Sequence, residues 1–416
     1  MSLDASLIMT TLSTTPLWTL PFCLLTLSHL LGALGYASML LLPLYLTHLG
    51  GSRAEVGLIM STAHIAGLLT RPLVGWSLDR FGRRSSLIFG GLLTALSLSL
   101  VYFITAVDFT AFGIRILFGI GEGFLFTGYF AFAADMIPKS RRTEGLALFG
   151  IAGLLPLLVN PIADISGFQG ESLRPFLTGV SLLILISALL IFVIPRSVGS
   201  AVPISTAPDD SKAPNHGTLN ELGNVTALTY LLNPRLHALW LSAIAFAGAV
   251  AILMTFASVV GASRGASYPT AVWFTYVMGA VSARLFGAKL PERIGPARLV
   301  RPSLGLYGAA LLIYALFTSE IGMLFAGVLA GISHGYCFPV LTSLIVSAVD
   351  ERFRGRALAM FTGLWGGAAM FFAPIGGYMA DRWGDEYMLI SFGLILLLAA
   401  LLAHPKRYDS SKEAMS

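Results

Sequence analysis

The chain of 416 residues is 56% apolar, has a mean hydropathy of +0.80, and is only 11% charged, against about 25% in soluble globular proteins. That composition excludes a disordered chain, a collagen-like repeat and an ordinary soluble enzyme. A net charge of +5, spread over loops rather than gathered on one face, excludes a nucleic-acid binder. The 44 glycines and 20 prolines in so apolar a chain suit closely packed, locally broken membrane helices.

About 20 apolar residues span the hydrocarbon of a bilayer, and twelve such runs occur. The first six are Leu17–Leu46, Val56–Leu78, Ser85–Ala106, Ala111–Ala133, Gly145–Ile165 and Phe176–Ile194. The second six are Ala238–Val260, Tyr268–Phe286, Pro302–Phe317, Ile321–Val346, Ala357–Met379 and Tyr387–Ala403. The first 16 residues lack Lys and Arg, unlike the basic start of a secretory signal, so the first run is expected to be a retained span. With both termini cytoplasmic, nineteen Lys and Arg fall in inner loops and tails and four (Arg53, Arg174, Arg264, Arg382) in outer loops. That asymmetry sets the expected orientation. Cys23 and Cys337 both lie in apolar runs and form no disulfide framework.

The polar stretch 196–236 separates the expected units 1–195 and 237–416. Within it Thr218-Leu-Asn-Glu221 has capping-box spacing, which fits a short amphipathic helix on the membrane surface as well as it fits an open linker. The two units repeat each other. An offset of 213 superposes Arg71 on Arg284, Asp79 on Glu292, Arg80 on Arg293, Gly82 on Gly295, Gly150 on Gly363 and Pro161 on Pro374. An offset of 210 carries Gly145-Leu-Ala-Leu-Phe onto Gly355-Arg-Ala-Leu-Ala. Two parallel repeats are the architecture of rocking transporters, with a substrate site between the halves near the midplane.

Gly75-Trp-Ser-Leu-Asp79-Arg80-Phe-Gly82-Arg83-Arg84 resembles the loop signature of the major facilitator superfamily, with Ser77 and Leu78 in place of the usual Leu-Ala. Arg115-Ile-Leu-Phe-Gly-Ile-Gly121 is similar to that family's fourth-span signature. Ala134-Asp135-Met-Ile-Pro138 through Gly145 resembles the following loop of its drug/proton antiporter-like and metabolite-exporter branches. The resemblance implies an all-α fold of twelve membrane helices in two six-helix bundles, working by alternating access in a bacterial inner membrane. Antiporter branches carry Gly-Pro-x-x-Gly-Gly in the fifth span. Here that stretch reads Asn160-Pro161-Ile-Ala-Asp164-Ile, while span eleven keeps Ala373-Pro374-Ile-Gly376-Gly377.

Ionisable groups in hydrocarbon are costly and so point to function. Glu122, near the middle of span four with no Lys or Arg within a turn, is the first candidate to carry a proton. His29, His64 and His334 near mid-membrane are further candidates, although each also fits helix packing, and they lack the spacing of a metal motif. Arg115, Glu122 and Tyr129 recur every seven residues and form one helix stripe. Arg115 and Tyr129, with Asn160, Asp164, Tyr336 and Trp365, are the candidate substrate-cavity residues, although Asp164, in the outer half of span five, also fits the water boundary or an outer gate. Gly75, Asp79, Arg80, Gly82, Arg83, Glu292 and Arg293 form the candidate conformational switch, in which an acid meets the positive N-terminus of span eleven near Gly355. For Arg71 and Arg284 the repeat favours a symmetric structural role over anion binding.

The Gly261-Ala-Ser-Arg-Gly265 match to a nucleophile elbow lies between two helices. No ATP-binding loop and no His-Glu-x-x-His occurs, so neither an enzyme nor a bound cofactor is expected. Asn224-Val-Thr226 falls on the inner side, where a glycosylation triplet has no use. The expected partners are a small-molecule substrate, protons and the lipid bilayer, for a chain acting as a monomer without nucleic acid. The leading expectation is proton-coupled export of a small amphipathic compound. Proton-coupled uptake, lipid or lysolipid movement suggested by Gly121-Glu122-Gly123, and a non-transporting sensor are the alternatives.

Overall fold

The computed structural model describes residues 16–138, 141–195, 236–287, 289–349 and 354–403, and all regular structure among them is helical. The segment 196–235, with its expected amphipathic helix, lies outside the described residues. Helix α1 runs Leu20–His48 through a 3-10 turn at Met39–Leu41. Helix α2 is Arg53–Leu69 followed by Arg71–Arg80, bent by 45°. Next come α3 (Gly82–Leu100), α4 (Phe109–Met136), α5 (Arg142–Ala152 and Val159–Ile165, joined by a 3-10 turn at Leu155–Leu158) and α6 (Leu173–Val193). The second group is α7 (His237–Ser263), α8 (Ala271–Phe286), α9 (Pro296–Leu316), α10 (Glu320–Ser347), α11 (Arg354–Trp383) and α12 (Asp385–Leu402).

Local chemistry explains the ends and breaks. Ser52 and Glu55 form a reciprocal capping box on α2, Asp108 caps α4 through the Thr110 amide, and Ser319 caps α10 through the Gly322 amide. Each satisfies an amide that has no partner within its helix. The bonds from Ser52 hold the Glu55 carboxyl below the usual carboxylate range. Pro72 at the start of Arg71–Arg80 cannot donate to the preceding turn, and Pro156 does the same in α5, so two spans expected to be continuous are broken. Span nine begins at Pro296 rather than Pro302, which sits inside the helix.

Among the described residues nine helices are long and apolar enough to cross a membrane, and the bent α2 makes a tenth. The 16-residue α8 and the 30-residue α11 complete the twelve. The two groups pack alike. In the first, α1 meets α6, α3 meets both α4 and α6, and α2 meets α4. In the second, α7 meets α12, α9 meets both α10 and α12, and α8 meets α10. The repeat-related Gly82 and Gly295 both have positive φ, +83° and +89°, a conformation that favours glycine. The chain therefore consists of two pseudo-symmetric six-helix bundles. Leu182, Leu189 and Val193 on α6 and Leu394, Leu398 and Leu401 on α12 are exposed, forming an apolar surface that lipid covers.

Close approach rests on glycine where backbones touch. A β-carbon on Gly119 of α4 would strike the Ala63 carbonyl of α2, and one on Gly331 of α10 the Tyr276 carbonyl of α8. Substituting Gly119→Ala is expected to destabilise the first bundle by about 1–3 kcal/mol, read as a lower unfolding temperature in detergent. An unchanged transition would contradict this packing.

Candidate functional site

The basic loops around Arg80–Arg84 mark one face of the molecule, called the basic face below; the opposite face is the far face. Packing between bundles gathers toward the far face. Residues Leu42–His48 of α1 pack on α7, Arg53–Leu69 of α2 on α11, and Val159–Ile165 of α5 on α8. The basic-face segments Leu20–Ser38, Arg71–Arg80 and Arg142–Ala152 pack chiefly within their own bundle. The halves are thus joined at the far face and part toward the basic face.

Two acids make the far-face junction. Asp164 at the end of α5 is buried and accepts from the amide and hydroxyl of Thr270, the N-cap of α8, at 2.8 and 2.5 Å. Asp381 near the end of α11 accepts from the amides of Arg53 and Ala54, the first two residues of α2, at 2.8 Å each. Each carboxylate binds amides that helix geometry leaves without a partner, at the positive end of a helix in the other bundle. The Arg53 guanidinium adds two bonds of 3.1 Å to Asp385 of α12. An offset of 217 carries Arg53 onto Thr270 and Asp164 onto Asp381, so the two junctions are repeat-related. Sequence reasoning listed Asp164 among cavity residues, with a place at the water boundary or an outer gate as its other readings, and left Asp381 beyond span eleven; the regular offset is the signal that was available for the pair.

At the centre, Glu122 of α4 is half-buried, and its Oε2 is buried with no hydrogen-bond partner. Arg115 is 3% exposed, donates to the Met60 carbonyl at 3.0 Å and lies over the Phe118 ring at 5.0 Å, while its Nε and Nη1 have no partner. Glu122 and Arg115 are within electrostatic reach of each other, and Arg115 is within reach of His64 on α2. Tyr36 of α1 is within electrostatic reach of Glu122 in its own bundle and of Tyr276 and Tyr307 in the other.

In the second bundle the Tyr276 hydroxyl hydrogen-bonds His334 Nδ1. Phe246, Phe338 and Trp365 surround that histidine with ring centroids 5.8, 6.1 and 5.9 Å away. His334 and Trp365 therefore belong to one aromatic cluster, which Tyr276 and Tyr307 join without having been singled out in the sequence.

Other candidates lie elsewhere. Tyr129 is buried among α1, α4 and α6, bonded to the Ser28 carbonyl at 2.9 Å and Ser187 Oγ at 2.6 Å, so it is a core residue and not a cavity one. His29 stacks on Phe149 at 4.3 Å and 18°, also inside the first bundle. Asn160 is fully buried, with Nδ2 bonded to the Leu157 carbonyl of its own helix. The Tyr336 hydroxyl lies against Gly287 at the basic-face end of α8.

Among the described residues Asp79 makes no contact with the start of α11. Asp79 is exposed and 3.8 Å from Arg83, which bonds Asp135 at 2.9 Å, on the face where the bundles part. Gly75, Arg80, Glu292 and Arg293 are exposed on the same face. Metal-binding clusters of three or more His, Cys, Asp or Glu are absent among the described residues.

The family model described as Major Facilitator Superfamily matches residues 22–319 and 239–414. The chain belongs to the Major Facilitator Superfamily. Its family and fold are those of transporters. An uncharacterized MFS-type transporter of Salmonella typhimurium is 25% identical over 88% of this chain and 91% of its own length. The staphylopine export protein of Staphylococcus aureus is 20% identical over 88% and 90%. The crystal structure of the nucleoside transporter NupG superposes with a TM-score of 0.73 at 14% identity, over 92% of this chain and 98% of that one.

Replacing either far-face acid, Asp164→Ala or Asp381→Ala, removes charge-assisted bonds worth about 1.5–3 kcal/mol each. The far face is then expected to open at least about tenfold more often. The check is the labelling rate by an impermeant maleimide, from the far side, of His64→Cys in a chain with Cys23 and Cys337 changed to Ser. An unchanged rate would contradict the closing role of these acids.

Proposed function

We propose that this member of the superfamily is a proton-coupled secondary transporter that exports a small amphipathic compound, with Glu122 as the proton carrier. The observation that carries this reading is a carboxyl at the centre of the membrane with one oxygen buried and unpartnered. A group so placed is costly when charged, and taking up a proton removes the cost. Arg115 ties it to the α2 backbone at Met60, and Tyr36, within electrostatic reach of both Glu122 and Tyr276, links it to the second bundle. Protonation there biases how the halves meet.

The halves, 1–195 and 237–416, rock as bodies about the passage. The chain acts as a monomer, with the basic face cytoplasmic by its Lys and Arg excess, in a bacterial inner membrane. Export rests on a relative of nearly equal length that is named for it. Uptake driven by the same proton carrier is the second reading.

In proteoliposomes, wild type is expected to move substrate against its gradient when a pH gradient is imposed, and the sign of the effective gradient separates export from uptake. Glu122→Gln is expected to lose that response by at least about tenfold while retaining substrate exchange at equal pH. A Glu122→Gln variant that still concentrates substrate from a pH gradient would refute the assignment.

A further inference from the structure

The repeat makes two arginines equivalent, and the structure treats them differently. Arg71 of α2 reaches α11, where its guanidinium donates to Thr362 Oγ1 at 3.0 Å and to the Thr362 carbonyl at 2.6 Å. Arg284 of α8 reaches α5 in the matching way, its Nη1 lying 3.2 Å from where a β-carbon on Gly150 would stand. Gly150 is the repeat mate of Gly363, beside which Arg71 lies. The residue that matches Thr362 is Phe149, which has no hydroxyl and whose ring is stacked flat on His29. Arg284 makes no ion pair and no hydrogen bond among the described residues. It is a half-buried cation in the membrane, and its charge reaches Tyr276 and His334.

An intramembrane guanidinium without a counter-charge is retained at a cost, and its planar fork of donors matches a carboxylate in two-point fashion. Beside it stands the aromatic cluster. Trp365 packs 5.0 Å from Phe338 and 5.5 Å from Phe246, and its helix continues through Gly366 and Gly367, where added β-carbons would meet nothing within 4 Å. The passage therefore offers a cation unpaired among the described residues and a wall of rings, with two glycines next along the Trp365 helix.

We infer that the transported compound is an organic anion with an aromatic or apolar body, its carboxylate held by Arg284 and its body lying against the half-buried Trp365 and His334, with the buried Tyr276 holding His334 from behind. The inference rests on the transport passage proposed above but not on the direction of transport. Arg71, engaged by Thr362, is the structural member of the pair, and the exchange of threonine for phenylalanine at the matching position sets Arg284 free for the substrate.

Three probes of one shape test this by calorimetry on the purified full-length chain at a single pH: 4-phenylbutyrate, the uncharged 4-phenylbutyramide and the cationic 4-phenylbutylamine. The carboxylate is expected to bind at least about tenfold more tightly than the other two. Arg284→Gln is expected to remove that preference, and Arg284→Lys, which keeps the cation, to retain part of it. Equal or tighter binding of the amide or amine by wild type, an unchanged carboxylate affinity in Arg284→Gln, or no carboxylate binding at millimolar concentration would each overturn the inference. The wild-type comparison stands even where Arg284→Gln does not fold. Without a pH gradient the experiment is blind to proton coupling, so a failure of the Glu122 assignment appears in the transport assay alone.

Discussion

The arrangement of the two halves depends on a helix end that one bundle leaves incomplete and the other completes. The first amides of α2 and α8 have no partner within their helices, and at α8 the junction is buried from water. Asp381 and Asp164 supply carboxylates from the opposite bundle. Such a contact is directional and has two discrete states, made or broken, unlike apolar packing, which slides. It suits an interface that must release as a unit and close again in register.

The junctions differ in length. Eighteen residues separate Arg53 from Arg71, and fourteen separate Thr270 from Arg284. Eighteen likewise separate Gly363 from Asp381, against fourteen from Gly150 to Asp164. The α2–α11 seam is thus about one helical turn longer than the α5–α8 seam, and both of its members carry the extra turn. That matched insertion preserves the acid contact at the far face and the arginine contact toward the basic face on both sides. It also explains why the sequence repeat holds at an offset of 213 near the basic face and 217 at the far face.

Much of this fold was legible because hydrocarbon leaves few options. Twelve apolar runs, the Lys and Arg asymmetry, and the Arg71 and Arg284 repeats led to two six-helix bundles without reference to contacts. What stayed hidden was rotation about each helix. Arg115, Glu122 and Tyr129 share a stripe, yet a long helix touches different neighbours along its length: Arg115 meets α2, and Tyr129 is sealed between α1 and α6 by Ser28 and Ser187. His29 and His334 look alike in sequence, but one stacks on Phe149 inside its bundle and the other bonds Tyr276 within an aromatic cluster. Asp79 differed for another reason: its expected partner belongs to an arrangement closed at the basic face, and here that face is parted.

The central claim is reciprocal closure, in which the far face holds when the basic face is open and opens when the basic face closes. Electron–electron distance measurement tests it most directly, with spin labels replacing Phe109 and Ile321 on the far face, or Phe81 and Ile294 on the basic face, in otherwise wild-type protein in lipid. All four positions are exposed, and the last two are repeat mates. The account predicts two populations whose weights shift together with pH, the far-face distance lengthening as the basic-face distance shortens. Distances that change in the same direction at both faces, or a basic-face distance that shifts while the far face stays fixed, would contradict it.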